Sequence, residues 1–259
     1  MEHTGCIHLI TDYGKNALEH TMDQLLFHKH FPGLPHIFSN QHFKLGDVIA
    51  PSIFLKLCYA QFPEGTVHLA PLHIESKLPE KYILAVGHGQ YFVGPDNGLF
   101  PMALGSDAIH YYKLPRPSGK SNIIEDVMIP AAVSLLSSGT SAFQENPENN
   151  PRRLIMPLAA LTGNVLRLVV LYNDSHGNAY LNMDKAEFLK ITDGKRFALK
   201  LGFKDEITEI SSSYHDIPEG DKLAIFGLGD LLQICVNCGS AEQYLGLKAG
   251  KMVMLEIQN

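Results

Sequence analysis

Cysteine is scarce in this chain, long hydrophobic runs are missing, and charge of one sign never gathers into a block. Four cysteines stand among 259 residues, Cys6, Cys58, Cys235 and Cys238. Only Cys235 and Cys238 are closely spaced, and a tetrahedral all-cysteine zinc site needs a second such pair, which does not exist. Cys235 also falls in the alternating run from Leu231 to Val236, which predicts a strand, so the two read as core or wall cysteines. No apolar run is long enough to span a bilayer. The opening Met1-Glu2-His3-Thr4-Gly5-Cys6 is too polar for a secretory leader, so the expected location is the cytoplasm. There is no basic run, the formal net charge is −6 and the pI is about 6.1, so nucleic acid is not an expected partner. Thirteen histidines occur, among them His20, His28 and His30 on one predicted helix. None has an i, i+4 partner with a carboxylate nearby, and neither a metal nor a resident cofactor is expected.

What is present is a globular composition. Hydrophobic residues make up 45% and charged residues 19%, enough for packed cores and too apolar for disorder. The length suits one large domain or two modest ones. His8 to Thr11 reads as a short buried strand. A helix is predicted from Ala17 to His30, with Leu18, Met22, Leu25, Leu26 and the Lys29 stem on one side, and Pro32-Gly33 ends it. Asp47 is placed to cap a second helix that runs to Tyr59. Thr66–Ala70, Ile83–Val86 and Gln90–Val93 read as strands, and a third helix runs from near Asp126 to Leu136. Strands alternating with helices predict an α/β domain with a mostly parallel sheet. The polar, proline-bounded stretch Asn146-Pro147-Glu148-Asn149-Asn150-Pro151 reads as a connection. Beyond it, short strands broken by Gly, Asn and Asp turns (within 163–172, 197–203, 222–226, 231–236 and 252–257) predict an all-β barrel or sandwich. The expected organisation is an α/β N-terminal domain over 1–145, a linker over 146–162 and an all-β C-terminal barrel over 163–259.

Several short words carry chemistry. Asp12 follows the first buried strand, so it stands at the carboxyl edge of the sheet, where open α/β sheets bind ligands. A carboxylate there either closes a turn or accepts the two hydroxyls of a ribose. Pro95-Asp96-Asn97-Gly98 is an Asn-Gly turn between apolar flanks, since both residues tolerate positive φ. Tyr172-Asn173-Asp174-Ser175-His176-Gly177-Asn178 reads as a polar turn after a strand. Its Asn178 amide carries both a donor and an acceptor, and its Asp174 carboxylate accepts only.

Phe62-Pro63-Glu64-Gly65-Thr66-Val67-His68-Leu69 and Val93-Gly94-Pro95-Asp96-Asn97-Gly98-Leu99-Phe100, taken with these words, resemble the S-adenosyl-L-methionine hydroxide adenosyltransferases. These are the SAM hydrolases related to fluorinases and chlorinases. The matches run along nearly the whole chain and end at Ile234-Cys235-Val236-Asn237-Cys238-Gly239-Ser240-Ala241 and Leu245-Gly246-Leu247-Lys248-Ala249-Gly250. The resemblance implies that Asp12 binds ribose, that Asn97 shapes the nucleoside site, and that Asp174 faces the methionine amino group. It implies that Asn178 reads adenine, that Tyr214 stacks on it, and that the backbone at Cys238 faces it. It also implies a homotrimer whose sites lie at subunit interfaces.

The same resemblance shows what is missing. Family members that hydrolyse SAM carry an aspartate after the His-Leu strand, an arginine shortly after it, and a histidine before the third helix. Here the first stretch reads Pro71-Leu72-His73-Ile74-Glu75-Ser76-Lys77-Leu78-Pro79-Glu80-Lys81. His73 stands near the aspartate's place, Lys81 near the arginine's, and Ile123 replaces the histidine. Ala17 stands where a second N-terminal aspartate belongs, and Leu228-Gly229 replaces small hydroxyl residues. His73, Glu75 and Lys81 are the candidate catalytic groups, or else part of a solvated loop. The expected activity is hydrolysis of SAM at ribose C5′ to adenosine and L-methionine, at a reduced rate. The alternatives are a protein that binds adenosine or SAM without turnover and, more remotely, a structural oligomer with an empty pocket. Nothing identifies a halide pocket.

Overall fold

Strand β1 (Ile7–Thr11) is buried at all five positions, which requires cover on both of its faces. The computed structural model describes residues 5–12, 18–40, 43–44, 46–72, 81–105, 108–115, 122–155, 159–202 and 205–258. After β1 come helix α1 (Leu18–His30), β2 (His36–Asn40) and α2 (Ile49–Cys58), then β3 (Val67–Leu69), β4 (Tyr82–Gly87) and β5 (Gln90–Pro95). Helix α3 (Leu99–Leu104), β6 (His110–Leu114) and α4 (Ile129–Ser138) complete this unit, and one π-helical turn, Ile124–Met128, leads into α4. The sheet order is β2-β1-β3-β5-β4-β6. One face packs Ile7, Leu9, Val67, Leu69 and Leu84 against Phe27 of α1 and Met128, Ala132 and Leu135 of the last helical segment. The other face packs Ile10, Ala70, Ile83 and Phe92 against Leu55 of α2 and Leu99 and Phe100 of α3. The result is a helix–sheet–helix sandwich.

The sheet is mixed rather than simply parallel. β2, β1, β3 and β5 run parallel, while β4 is antiparallel to both β5 and β6. A parallel pair needs a crossover of a dozen or more residues. Between β4 and β5 there are only His88 and Gly89, both at positive φ (53° and 71°), the geometry of a tight hairpin turn. Helix α1 also turns differently from its apolar stripe. Leu18, Met22 and Leu25 are 73, 56 and 61% exposed, whereas Asp23 and Phe27 are buried. The buried face is set by rings, since Phe27 meets Phe31 at 5.7 Å and Phe38 of β2 at 5.5 Å. Asp47 Oδ1 accepts the Ala50 N–H at 3.1 Å and so caps α2 as its position predicts.

The first compact unit extends to Leu154 and the second begins at Ile155. Of the stretch expected as a linker, Asn146 and Glu148 hydrogen-bond to β6 through Lys113 N–H and Tyr111 C=O, and its last three residues form strand β7 (Ala160–Thr162). The second unit continues with β8 (Val165–Asn173), β9 (Ala179–Asp184), α5 (Lys185–Thr192), β10 (Phe197–Lys200) and β11 (Glu206–Ile207). It ends with β12 (Lys222–Phe226), β13 (Leu231–Val236), α6 (Ala241–Tyr244) and β14 (Met252–Ile257). Its strands follow the order β11-β10-β14-β8-β9-β13-β12, with β7 beside β8, and all pairings are antiparallel. The sheet curls until its ends meet: Ser211 N–H donates to Ala224 C=O at 2.8 Å, and Lys222 Nζ reaches Asp205 Oδ1 at 3.0 Å. This nearly closed barrel encloses Leu168, Leu181, Leu199, Leu232 and Leu255. Among the described residues no helix is long and apolar enough to cross a membrane.

The amino ends of β1 and β3 approach so closely that a Cβ on Gly5 would lie 2.3 Å from the Gly65 carbonyl carbon. Gly5→Ala is therefore expected to lower stability by about 1–3 kcal/mol, the usual cost of overpacking where backbone must move. Gly202, whose Cβ would meet nothing within 4 Å, provides the control, and Gly202→Ala should stay within about 0.5 kcal/mol of wild type. Urea unfolding of both variants checks the difference.

Candidate functional site

Strands β1, β3 and β5 point the same way, so the residues just past their carboxyl ends converge. Asp12, Leu72 and Asn97 line one small cleft of about 10 Å³, with Phe43, Lys44 and Asp47 on the other wall. Lys44 and Asp47 are site residues the motifs did not single out. They lie between β2 and α2, and the same edge rule that singled out Asp12 applies to the loop after β2. Asn97 is 7% exposed and spends its amide on the fold. Its Nδ2 donates to Leu72 C=O at 2.9 Å, and its Oδ1 accepts the Leu99 N–H at 3.0 Å. It thus ties the end of β5 to the end of β3, starts α3, and shapes the cleft floor. Gly98 follows at φ +95°, the left-handed turn geometry expected of Asn-Gly.

Lys81 opens β4 beside the end of β5, with its carbonyl accepting the Asp96 N–H at 3.0 Å. Its ammonium stands 3.5 Å from Glu148 Oε2, a carboxylate only 5% exposed. Asp96 joins the cluster by accepting the Arg152 N–H at 2.8 Å. Burial raises its pKa above the usual carboxylate range, and that N–H opposes the shift. His73 and Glu75 lie outside the described residues. Ile123 is 8% exposed and packs in the core with Val127 and Met128.

The other candidate residues gather at one end of the barrel. The turn between β8 and β9 is closed by Asp174, whose Oδ1 accepts the N–H groups of His176 (2.9 Å) and Asn178 (3.0 Å). Its Oδ2 accepts one amide proton of Asn178 at 2.9 Å, which fixes the way that amide faces. The turn is pressed onto the start of α6: Glu242 N–H donates to Gly177 C=O at 2.9 Å, and a side chain on Gly177 would overlap Ser240. Tyr214 donates its hydroxyl to Cys235 Sγ at 3.2 Å, and Asn237 Nδ2 bonds Ile217 C=O at 2.7 Å. Asp174, Asn178, Tyr214 and Cys238 therefore share one rim.

The electrostatics of that rim are those of an acidic group among tyrosines. Burial first and the Asp174 charge second push Tyr172 up to about 12 and raise Tyr180, while Tyr214 is raised by burial first and by its bond to Cys235 second. All three phenols stay protonated at neutral pH. Burial pushes Cys235 up to about 11, with the Tyr214 bond opposing it, so this thiol is a wall and not a nucleophile. Cys238 differs from the expectation of a core or wall cysteine. It is exposed, at φ +55°, and like Cys235 it is unpaired. Among the described residues no three His, Cys, Asp or Glu side chains converge to hold a metal ion.

Comparison with known proteins agrees along the chain. Residues 7–144 match the model of the SAM hydroxide adenosyltransferase N-terminal domain, and residues 168–254 match that of the C-terminal domain. The (R)-S-adenosyl-L-methionine hydrolase of Thermus thermophilus is 31% identical over 235 residues, 82% of this chain and 86% of that protein. Two solved structures share the fold. An uncharacterized conserved protein from Thermotoga maritima has a TM-score of 0.83 at 21% identity, covering 96% of this chain and 99% of that one. A conserved hypothetical protein from Thermus thermophilus has a TM-score of 0.72 at 25% identity, covering 98 and 100%.

Asp174 satisfies three donors, two of them backbone. Asp174→Ala should destabilise the protein by about 1–3 kcal/mol, the cost of losing charge-assisted bonds to two part-buried donors of Asn178 and one exposed N–H of His176. Among the described residues Asp12 makes no such set of bonds to the fold, and Asp12→Ala should shift the unfolding midpoint little, within about 0.5 kcal/mol. Paired thermal melts of the two variants check the contrast.

Proposed function

The chain belongs to the SAM hydroxide adenosyltransferase family, and from that premise we propose that it cleaves S-adenosyl-L-methionine at ribose C5′, giving adenosine and L-methionine. The observation that carries this reading is the 31% identical (R)-S-adenosyl-L-methionine hydrolase. The barrel rim supports it, because Asp174 and Asn178 are held in one rigid turn, as an ammonium acceptor and an adenine reader would have to be. The relative's name makes the (R) sulfonium epimer the substrate to test first.

The reaction needs little acid–base help. Water attacks C5′, the C5′–S bond breaks, and sulfur leaves with the electron pair as a neutral thioether, so no general acid is required. The protein has to align a desolvated water with the C5′–S bond and take up one proton. In this reading Asp12 accepts the ribose hydroxyls, Asn97 shapes the pocket floor, Tyr214 stacks on the adenine and the backbone at Cys238 faces it. His73 and Glu75 take the proton, and Lys81 contributes charge through its pair with Glu148. No cofactor takes part, and a homotrimer in the cytoplasm belongs to the same proposal.

A second reading, a protein that binds adenosine or SAM without turnover, is favoured by one observation. Ile123 occupies the family histidine's place and is committed to the core, where it can neither orient nor deprotonate water. The first reading expects slow chemistry, since losing positioned acid–base assistance removes about 10²–10⁴ in rate, and the second expects none. The test is incubation of the pure protein with each sulfonium epimer of SAM, followed by chromatography. Equimolar adenosine and methionine, lost in His73→Ala, support hydrolysis. Nucleoside binding with no product supports the second reading, and no binding of SAM or adenosine at millimolar ligand defeats both.

Asp12→Ala separates a ribose contact from a structural one. Charge-assisted hydrogen bonds contribute about 1.5–3 kcal/mol, so adenosine affinity should drop roughly 10–100-fold, while free adenine, which has no diol, should bind as before. Titration calorimetry with both ligands reads this directly, and equal losses would show that Asp12 only maintains the fold.

A further inference from the structure

His8 of β1 and His68 of β3 stand opposite each other in register, and neither exposes any surface. Their Nδ1 atoms are 2.8 Å apart. His8 Nε2 lies 2.9 Å from Ser39 Oγ on β2, and His68 Nε2 lies 2.8 Å from Gln90 Oε1 on β5. Gln90 Nε2 donates to the carbonyls of Tyr59 at 3.1 Å and Phe62 at 2.9 Å. That last pair of bonds orients everything before it. With both amide protons on carbonyls, the Gln90 oxygen faces His68, so His68 Nε2 carries a proton and its Nδ1 is a lone pair. His8 Nδ1 must then be the donor across the 2.8 Å contact, and the His8 Nε2 lone pair takes the Ser39 hydroxyl proton. One polarity runs through four adjacent strands, from Ser39 to His8 to His68 to Gln90 and on to the two carbonyls.

Both imidazoles are neutral and stacked on apolar rings, His8 on Phe62 at 4.4 Å and His68 on Phe92 at 4.7 Å. His36 of β2 pairs with Ile7 and so lies on the opposite face of the sheet from His8, and other titratable groups nearby are engaged. Cys6 contacts Thr66 Oγ1, and Tyr59 and His88 stack on each other at 5.1 Å. Glu64 lies against Gly89. All four imidazole nitrogens already have partners, and among the described residues none of those partners is a carboxylate.

We propose that this chain is an acid-released latch: while both imidazoles are neutral it clamps β2, β1 and β3 together, and an added proton opens the sheet from its β2 edge. Only two lone pairs can receive that proton. On His68 Nδ1 it sets two donors against each other. On His8 Nε2 it turns the Ser39 hydroxyl round and leaves a cation against Phe62 with no carboxylate partner among the described residues. Ser39 is half-buried on the edge strand, so water reaches the chain from that side when β2 lifts. Asp12 directly follows β1, and opening carries it away from the cleft, whatever ligand the cleft takes. The sign follows from burial, which holds His8 down to about 3, with the His68 charge adding to the effect, and His68 to about 4, with Gln90 opposing. The opened sheet, with histidines near 6.5, binds more protons than the closed one between those values. Opening therefore grows as pH falls from about 6.5 towards 4, and closure is complete above that interval.

The test uses the full chain. Imidazole ¹⁵N spectra at pH 7.5 should show His8 protonated at Nδ1 and His68 at Nε2, with neither titrating near 6.5. Amide exchange, corrected for its intrinsic pH dependence, should accelerate at least tenfold in residues 7–11 and 36–40 between pH 7 and 5, and less in 129–138. In the double variant His8→Leu/His68→Leu this acceleration should vanish. The opposite tautomers, exchange that does not respond to pH, or a double variant that keeps the wild-type acid response would each overturn the latch. If the double variant does not fold, the wild-type spectra and exchange decide alone.

Discussion

A strand buried on both faces has no water to satisfy its side chains, and β1 carries a histidine near its middle. Everything beside β1 is arranged around that demand. Ser39, His68 and Gln90 supply the hydrogen bonds, Phe62 and Phe92 supply ring faces, and the Tyr59 and Phe62 carbonyls close the chain. A buried polar network of this kind is stabilising only when every member is paired. It therefore specifies register as well as stability: slipping β1 by one residue would turn His8 to the opposite face and break every bond. Because β1 ends at Asp12, the same constraint places the first residue of the cleft.

The two units position their polar groups by different means. In the first, parallel strands bring loop residues together at one edge, and the turn amide of Asn97 ties two of those loops into a floor. In the second, antiparallel strands bring hairpin ends together, and Asp174 holds the 174–178 turn from inside while the start of α6 pins it from outside. Each site is a rigid element end with a bonded turn on it, which suits recognition of a small rigid ligand. In the proposed reaction the chemistry depends on few groups, since a sulfonium carbon releases a neutral thioether. That tolerance is consistent with a family member whose Ile123 has gone to the core.

Part of this was legible in the residues. The strands 66–70, 83–86, 90–93, 222–226, 231–236 and 252–257 announce themselves by local apolar content and turn residues, and the structure has a strand at each. Asp47 as a cap and Asn97 as a turn residue are equally local and appear as read. β2 and β6 were not legible, because their exposure is mixed and His36 and His110 weaken any period-two signal, and β9 was not because it is buried at four of its six positions and so shows no alternation. The facing of α1 was misread for a related reason: an apolar stripe of Leu18, Met22 and Leu25 outweighs Phe27 by count, but ring packing against Phe38 decides which side is covered.

By itself the sequence determined the family, the two-part organisation, and which short words stand at strand ends, because all three are properties of neighbouring residues. Only the tertiary structure decided the reversal of β4, the bonding of Asn178 to Asp174, and the pairing of Lys81 with Glu148. It alone joined His8 to His68, sixty residues apart. The physical reason is common to all of these. A side chain's partner is set by strand register and by what shares its burial, and neither quantity exists until distant segments have packed.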